Sequence, residues 1–332
     1  MPQQDTDHSH QKDFRRSSRL GATFVYHQNG MMAKILEQVE RYAPLNQPVL
    51  ITGETGTGKE QIARLLHAHS GRSGNLVSVN LSAVPHDLIE NELFGHIKGA
   101  FTGADTTTTG YVERAEEGTL FIDEIGDLPM TYQIKILRLV QDGQYEKLGS
   151  HRQLKSNARF IFATNLNLEN EIEQSRFRSD LYYRLNTFHV DLPSLRQRNH
   201  DLPLLIEHFL FFAGQEMNRP KLSISQEATQ QLLNYHWPGN VRELENMIYR
   251  LVAITDSQTI ELEQLPKIFR QDLFQLKMKE LEFHRQTANT LENELIQMAL
   301  IRTNRNLNKT AELLGISRST LQYRLNKAKK PQ

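Results

Sequence analysis

Residues 49–60 read VLITGETGTGKE, and they decide the fold. Val49, Leu50 and Ile51 form a short continuous apolar run, the pattern of a strand buried on both faces. A glycine-rich turn over 53–58 follows at once, and QIARLLHAHS over 61–70 reads as a helix. A strand, a glycine-rich loop and a helix, in that order, turn backbone N–H groups toward phosphate oxygens. Gly53, Gly58 and Lys59 satisfy G-x-x-x-x-G-K. The glycines admit close approach, and Lys59 neutralises charge on the outer phosphates. Glu54, Thr55, Gly56 and Thr57 fill the loop between them. The generic motif ends in Ser or Thr, which meets magnesium; Glu60 stands there instead.

Further along, TLFIDE over 119–124 is a strand-like run that ends in two acids. Asp123 is the candidate to hold magnesium, directly or through water, and Glu124 the candidate to polarise an attacking water. Both fall at the carboxyl end of a strand, where α/β sheets bind ligands. A plain surface turn after a strand also carries acids, but the phosphate loop upstream argues for chemistry. Other strand-like runs lie at 76–79 and 159–163, separated by helical stretches, which predicts an α/β segment with a parallel sheet. A helical pattern over 31–42 precedes the loop. After Pro193 the strands stop, and 202–217, 226–234 and 241–253 read as helices of a small domain closed by Pro266. Two or three helices return between 291 and 329, around a turn at 314–317.

Composition removes several function classes. The chain has no cysteine, which excludes disulfide scaffolds, Cys-type zinc sites, iron–sulfur clusters and thiol catalysis. A reducing cytoplasm is the simplest home. No apolar run approaches the roughly 20 residues of a membrane helix. The first 20 residues hold no apolar core of a secretory signal. Acids and bases balance at 39 each, yet residues 301–332 carry eight Lys/Arg against Glu312 alone. That segment is therefore +7 on a body of −7. Such a segment suggests a nucleic-acid contact; a solvated basic tail is the other reading.

Several stretches resemble the bacterial AAA+ activators of sigma-54 RNA polymerase. GETGTGKE is similar to that family's phosphate loop, in which Glu at position 60 is normal. ELFGHIKGAFTGA over 92–104 holds an intact GAFTGA: Gly99, Ala100, Phe101, Thr102, Gly103 and Ala104. The resemblance implies a surface loop that touches sigma-54. Glycines on both sides of Phe101 and Thr102 suit a mobile loop with one apolar contact residue, although a buried Phe101 is the competing reading. ATN over 163–165 resembles the first sensor, with Asn165 reading the γ-phosphate and the water. FRSDLYYRL over 177–185 matches the region whose two arginines, Arg178 and Arg184, reach a neighbouring subunit's nucleotide. Structural salt bridges compete with that role. WPGNVREL over 237–244 resembles the second sensor, which puts Arg242 in a helical lid against phosphate. Trp237, the single tryptophan, is read as packing. Asn80 aligns with the residue that holds the catalytic Glu aside until nucleotide is sensed, an Asn80–Glu124 switch.

LNKTAELLGISRSTLQYRLNK over 307–327 resembles a Fis-type helix-turn-helix. Ala311 and Leu314 would pack its first helix, Gly315 would make the turn, and Ser317 would cap the second helix. Arg318, Ser319, Gln322, Tyr323, Arg324 and Lys327 are then the candidates for DNA contact. A helical hairpin used for dimerisation is the alternative, and both can hold through a helix at about 291–303.

The implied organisation is a disordered tail over 1–22, an α/β AAA+ P-loop ATPase over 23–193 and a helical lid over 194–266. A linker over 267–290 and a DNA-binding domain over 291–332 complete it. The implied ligands are ATP and Mg2+. The implied partners are the sigma-54 holoenzyme, upstream double-stranded DNA and further copies of the chain, from dimer to hexamer. No receiver, GAF or PAS domain fits before residue 23. The resemblance is therefore to stand-alone members, controlled by a separate protein that binds the ATPase domain. Two rivals remain, a DNA-binding repressor with a vestigial ATPase and another DNA-tethered AAA+ machine.

Overall fold

The computed structural model describes residues 14–17, 24–270, 296, 299–300, 303 and 306–328. The chain divides into two compact units, Met1–Leu265 and Pro266–Gln332.

Five strands form the central sheet of the first unit. They are β1 (Val49–Thr52), β2 (Leu76–Asn80), β3 (Thr119–Asp123), β4 (Arg159–Thr164) and β5 (Phe188–Asp191). They lie in the order β5-β1-β4-β3-β2, and every pair is parallel. The parallel sheet is the one expected, but β5 was not anticipated. His189 and Asp191 interrupt its apolar pattern, and the sheet accepts them because β5 is an edge strand paired with β1 alone. The chain leaves β1 toward one edge of the sheet and returns past it to β5 at the other. The crevice at the carboxyl ends opens at that change of direction.

Alternate residues of each strand feed two cores. Val49, Ile51, Phe121, Ile161 and Val190 pack with α1 (Met31–Tyr42) and α2 (Lys59–Ala68). Leu50, Leu120, Ile122, Phe160 and Phe162 pack with α3 (Ile89–Phe94), α4 (Met130–Asp142) and α5 (Ser179–Leu185). Cover on both faces is why the strands read as unbroken apolar runs. α1 buries Met32, Leu36 and Val39, one stripe at helical spacing. α4 stops at Gly143, whose left-handed backbone lets its N–H return to Leu139 O at 2.9 Å.

Arg159 opens β4 and is almost wholly buried. Its guanidinium donates to the carbonyls of Tyr42 (2.8 Å) and Ala43 at the end of α1, and of Leu66 (3.4 Å) in α2. A cation at two helix carboxyl ends is a favourable placement. Burial lowers its pKa to about 10, so it keeps its charge at neutral pH.

The lid follows β5. It holds α6 (Leu202–Glu216), α7 (Gln226–Asn234) and α8 (Asn240–Ile254), close to the three helices expected. A two-residue parallel ribbon, Ser223–Ile224 with Thr259–Ile260, was not read from the sequence. Trp237 is fully buried and donates Nε1–H to Leu232 O at 3.0 Å. Ahead of α1, Phe14–Ser17 pairs antiparallel with Phe24–His27. That first strand lies within the stretch read as disordered; the rest of 1–22 is outside the described residues. So is the expected linker over 267–290, apart from the short helix Lys267–Arg270.

In the second unit, α9 (Leu307–Leu313) and α10 (Arg318–Ala328) flank a turn at Gly315, which has φ +64°. Ser317 Oγ accepts from Thr320 N at 3.1 Å, the expected cap. Ala311, Leu321 and Ile296 make a small core, with Leu314 and Ile316 against it. This is the helix-turn-helix in its expected place. Most of the preceding helix, expected at about 291–303, lies outside the described residues. Among those described, no helix is long and apolar enough to cross a membrane.

Candidate active site

The loop over 53–58 leaves β1, passes over the crevice and enters α2 at Lys59. Lys59 is buried, and its Nζ donates to Gly53 O at 2.9 Å. It stands 3.9 Å from Glu124 Oε1, an ion pair at the mouth of β3. Burial lowers the Lys59 pKa, against the pull of Glu124 and Asp123. Burial raises both carboxyls, against the pull of Lys59. A cation and two anions are thus gathered in a partly dry site, each destabilised by burial; Lys59 and the two acids stabilise one another, while the acids repel each other.

Glu124 has a left-handed backbone, φ +55° and ψ +49°, rare for a residue with a side chain. Its Oε2 accepts from Asn165 N at 3.1 Å. Asn165 lies just past β4, and its Nδ2 donates to Thr55 Oγ1 of the loop at 3.0 Å. β3, β4 and the loop are therefore joined through two polar side chains. Asp123 Oδ1 accepts from Glu124 N at 3.0 Å.

These groups share one cleft of about 480 Å³. Thr55, Gly56, Gly58, Lys59 and Glu60 line its loop side, Asp123, Glu124 and Asn165 its sheet side, and Arg242 its lid side. Glu60 is ion-paired with Arg64, one helical turn on. Gly53 and Glu54 line an adjoining cavity of about 420 Å³, at the other side of the loop. Thr57 is buried. Asn80 reaches the cleft, because β2 and β3 pair Asn80 with Asp123. Its Oδ1, however, accepts from Ser82 N (3.0 Å) and Ser82 Oγ (2.7 Å). No Asn80–Glu124 hydrogen bond occurs among the described residues, and Asn165 N occupies Glu124 instead.

The cleft suits a nucleotide with its metal. The first N–H groups of α2 have no acceptor within the helix and face the phosphate region. Among the described residues, no three His, Asp or Glu side chains converge on a point as in a protein-held metal site. Magnesium typically takes one or two carboxylates and completes its shell with phosphate oxygens and water. Asp123 and Glu124 are two carboxylates that line the sheet side of the cleft.

The other candidates lie elsewhere. Arg178 precedes α5 as its N-cap residue, Arg184 is in its last turn, and neither lines the cleft of its own chain. Arg178 is held by both oxygens of Asp180, at 3.0 and 2.7 Å. Arg184 is exposed and makes one long bond, 3.4 Å, to Gln141 O. The 99–104 stretch caps a hairpin whose base is Gly95–His96 paired with Thr108–Thr109. Gly99 (φ +83°) and Gly103 (φ +95°) turn it, and Gly99 N donates to Ala104 O at 2.9 Å. Phe101 is 47% exposed, which removes the core reading, and its ring lies 5.0 Å from that of His96. Thr102 is exposed at the tip, Ala100 partly buried and Ala104 buried. On α10, Arg318, Ser319 and Gln322 are exposed and Arg324 partly so. The side chains of Tyr323 and Lys327 lie outside the described residues.

Three polar residues against the phosphate loop escaped the sequence reading: Arg196, Arg198 and Asn240. Arg196 ion-pairs with Glu54, Arg198 Nη2 donates to Thr57 O, and Asn240 Nδ2 donates to Thr55 O. Asn240 stood inside the quoted WPGNVREL, next but one to Arg242, and its position in that motif was the one available signal.

A phosphate loop on β1, acids at the end of β3 and a helical lid define an AAA+ nucleoside triphosphatase fold. Residues 25–191 match the sigma-54 interaction domain, 196–280 the AAA+ ATPase lid domain, and 287–327 the Fis family of bacterial regulatory proteins. The chain belongs to the sigma-54-dependent transcriptional activators. It is 48% identical over 255 residues to the DNA-binding transcriptional activator HyfR of Escherichia coli, covering 76% of this chain and 38% of HyfR. It is 41% identical over 300 residues to the regulatory protein AtoC of the same organism, covering 89% of this chain and 65% of AtoC. The chain thus spans between a third and two thirds of these relatives. A crystal structure of NtrX from Brucella abortus in complex with ATP superposes with a TM-score of 0.68 at 31% identity. That match covers 94% of this chain and 70% of NtrX.

Proposed function

We propose that the protein activates sigma-54 promoters by spending ATP to remodel the closed polymerase complex. One observation carries this reading: Lys59, Asp123, Glu124, Asn165 and Arg242 share a cleft in a chain that also presents Phe101 on a glycine-flanked loop. Lys59 and the N–H groups of the loop bind the triphosphate. A magnesium ion would supply neutralising charge on the phosphate oxygens, with Asp123 holding it directly or through water. Glu124 takes the proton of the attacking water, and Asn165 N–H fixes the carboxylate for that task. Arg242 contacts phosphate from the lid. Arg178 and Arg184 enter a neighbouring subunit's cleft, so hydrolysis depends on closure of a ring, a hexamer. The 99–104 loop carries the resulting movement to sigma-54. α10 lies in the major groove of upstream DNA, with Arg318, Ser319, Gln322, Tyr323 and Arg324 at base edges and Lys327 on phosphate.

Residues 42–51, YAPLNQPVLI, resemble the phage-shock-operon activator. Control by a separate protein on the ATPase domain, in a bacterial cytoplasm, follows from that likeness. The deciding experiment is capture of sigma-54 by the purified protein in ATP with aluminium fluoride. Binding should appear only with the nucleotide mimic and be lost in Thr102→Ala, whose ATP turnover persists. Intact ATPase activity without sigma-54 binding would send the search to another client.

The lid's approach to the loop can be tested by itself. Gly56 has φ +80°, and a Cβ there would lie 2.2 Å from Gly239 O. Gly71 has a similar φ of +73° with nothing within 4 Å. Gly71→Ala should cost about 1–2 kcal/mol of stability from backbone strain alone and leave affinity for a fluorescent ATP analogue unchanged. Gly56→Ala should cost more and weaken that affinity at least about tenfold, because the lid must lift away. Equal affinities in the two variants would show that the close approach does not matter to binding.

A further inference from the structure

The lid holds the phosphate loop from outside. Asn240 Nδ2 donates to Thr55 O at 3.0 Å and to Glu54 Oε2 at 3.2 Å. Its Oδ1 accepts from Leu195 N at 2.8 Å. The N–H groups of Val241 and Arg242 donate to Gly56 O at 3.0 and 3.3 Å. Arg198 Nη2 donates to Thr57 O at 3.2 Å. From the loop's own side, Lys59 Nζ serves Gly53 O at 2.9 Å, and Thr57 Oγ1 serves Glu54 O at 2.8 Å. Each carbonyl from Gly53 to Thr57 therefore has a donor. A carbonyl turned toward a phosphate repels it. In a trans peptide the N–H and C=O point opposite ways, so a carbonyl turned out leaves the N–H of its own peptide turned in. Of the loop N–H groups, that of Thr57 is engaged within the loop, on Glu54 O at 3.3 Å.

Glu54 poses a second problem. It is an acid in a loop whose ligand is an anion. Arg196 Nη1 donates to Glu54 Oε2 at 2.8 Å, and Nη2 donates to Oε1. A two-pronged guanidinium grip fixes both the charge and the direction of a carboxylate. Hydrogen bonding by Arg196 is the main influence that lowers the Glu54 pKa, so the acid is ionised at neutral pH. Asn240 is fully buried with φ +54°, a left-handed backbone that Asn tolerates better than most residues. A strained, buried amide with its donors and acceptor all engaged across elements is a locked part.

Taking the cleft as an ATP site, we propose that Arg196 and Asn240 are positioning residues for nucleotide binding. They hold the Glu54 carboxylate and the Thr55 carbonyl away from the triphosphate and leave it the loop N–H groups that have no partner within the loop.

The test uses the full chain, ATP turnover and titration with a fluorescent ATP analogue. Arg196 is 45% exposed, so R196Q should fold with an unchanged melting temperature. The freed Glu54 charge should raise KM and Kd about tenfold, the effect of one unpaired charge several ångströms away in a partly hydrated site. The change in kcat should stay under roughly threefold, because the reacting groups are untouched. E54Q/R196Q should return the affinity to within about threefold of wild type, which a merely structural arginine would not do. Asn240→Ala should weaken affinity from the other side of the loop; if it does not fold, R196Q alone decides. An unchanged KM in R196Q, or no recovery in the double variant, overturns the proposal. A wild-type protein that binds no ATP overturns the reading of the cleft, and this proposal with it.

Discussion

Glu124→Gln is expected to cut ATP turnover by about 10²- to 10⁴-fold, the usual contribution of a positioned general base. Binding of a fluorescent ATP analogue should stay near the wild-type value, because Lys59 and the loop are unaltered. The amide matches the carboxylate in shape and can still accept from Asn165 N, but it cannot take a proton. Lys59 loses its partner at 3.9 Å, so any small shift in binding should be toward tighter. The pH profile of the wild type should agree. Burial raises the Glu124 pKa above its ordinary value, so the active carboxylate is lost at a higher pH than for an exposed Glu. Turnover should fall as pH drops through that raised value, and in Glu124→Gln the share of the fall that belongs to Glu124 should vanish, leaving that of Asp123. Robust turnover by this variant would remove Glu124 from the catalytic role.

Arg184→Ala should lower turnover by about 10³-fold or more, in the range of an arginine supplied in trans. Arg178→Ala should have a smaller effect, since both oxygens of Asp180 already hold that guanidinium. The cleft of the Arg184→Ala chain is intact, so it should bind ATP normally. Lys59→Ala should fail for the opposite reason, with a defective cleft and an intact arginine. Mixed in equal amounts, the two inactive proteins should recover about a quarter of wild-type turnover, the share of interfaces that pair a good cleft with a good arginine in a random closed ring. Phosphate release against mixing ratio measures it. A flat zero at every ratio, with mixed assemblies demonstrated by size, would show that Arg184 acts within its own chain or only in structure.

The candidate site was legible where it is contiguous. Lys59 sits in a loop that a strand and a helix fix from both ends, and Asp123 and Glu124 end a strand, so neighbours in sequence carry the message. β5 was missed because an edge strand needs few apolar residues. Arg196, Arg198 and Asn240 were missed for another reason. Arg196 meets Glu54 across 142 positions and Asn240 meets it across 186; nothing local marks Arg196, and only its place in WPGNVREL marks Asn240. Their roles exist only once the lid lies on the loop. The Asn80–Glu124 pairing came from resemblance, whereas the described geometry has Asn80 on Ser82 and Glu124 on Asn165.

β4 has a mechanical consequence. Arg159 nails its first residue to the ends of two helices, and Asn165 follows its last. Paired ladders grip the strand on either side. Such a rod cannot act as a piston, because any slide along its axis would shear both ladders and tear out a buried cation. Its tip is tied only sideways, through Asn165 to Glu124 and Thr55, so adjustment is easier at the rim of the sheet than along its middle strand.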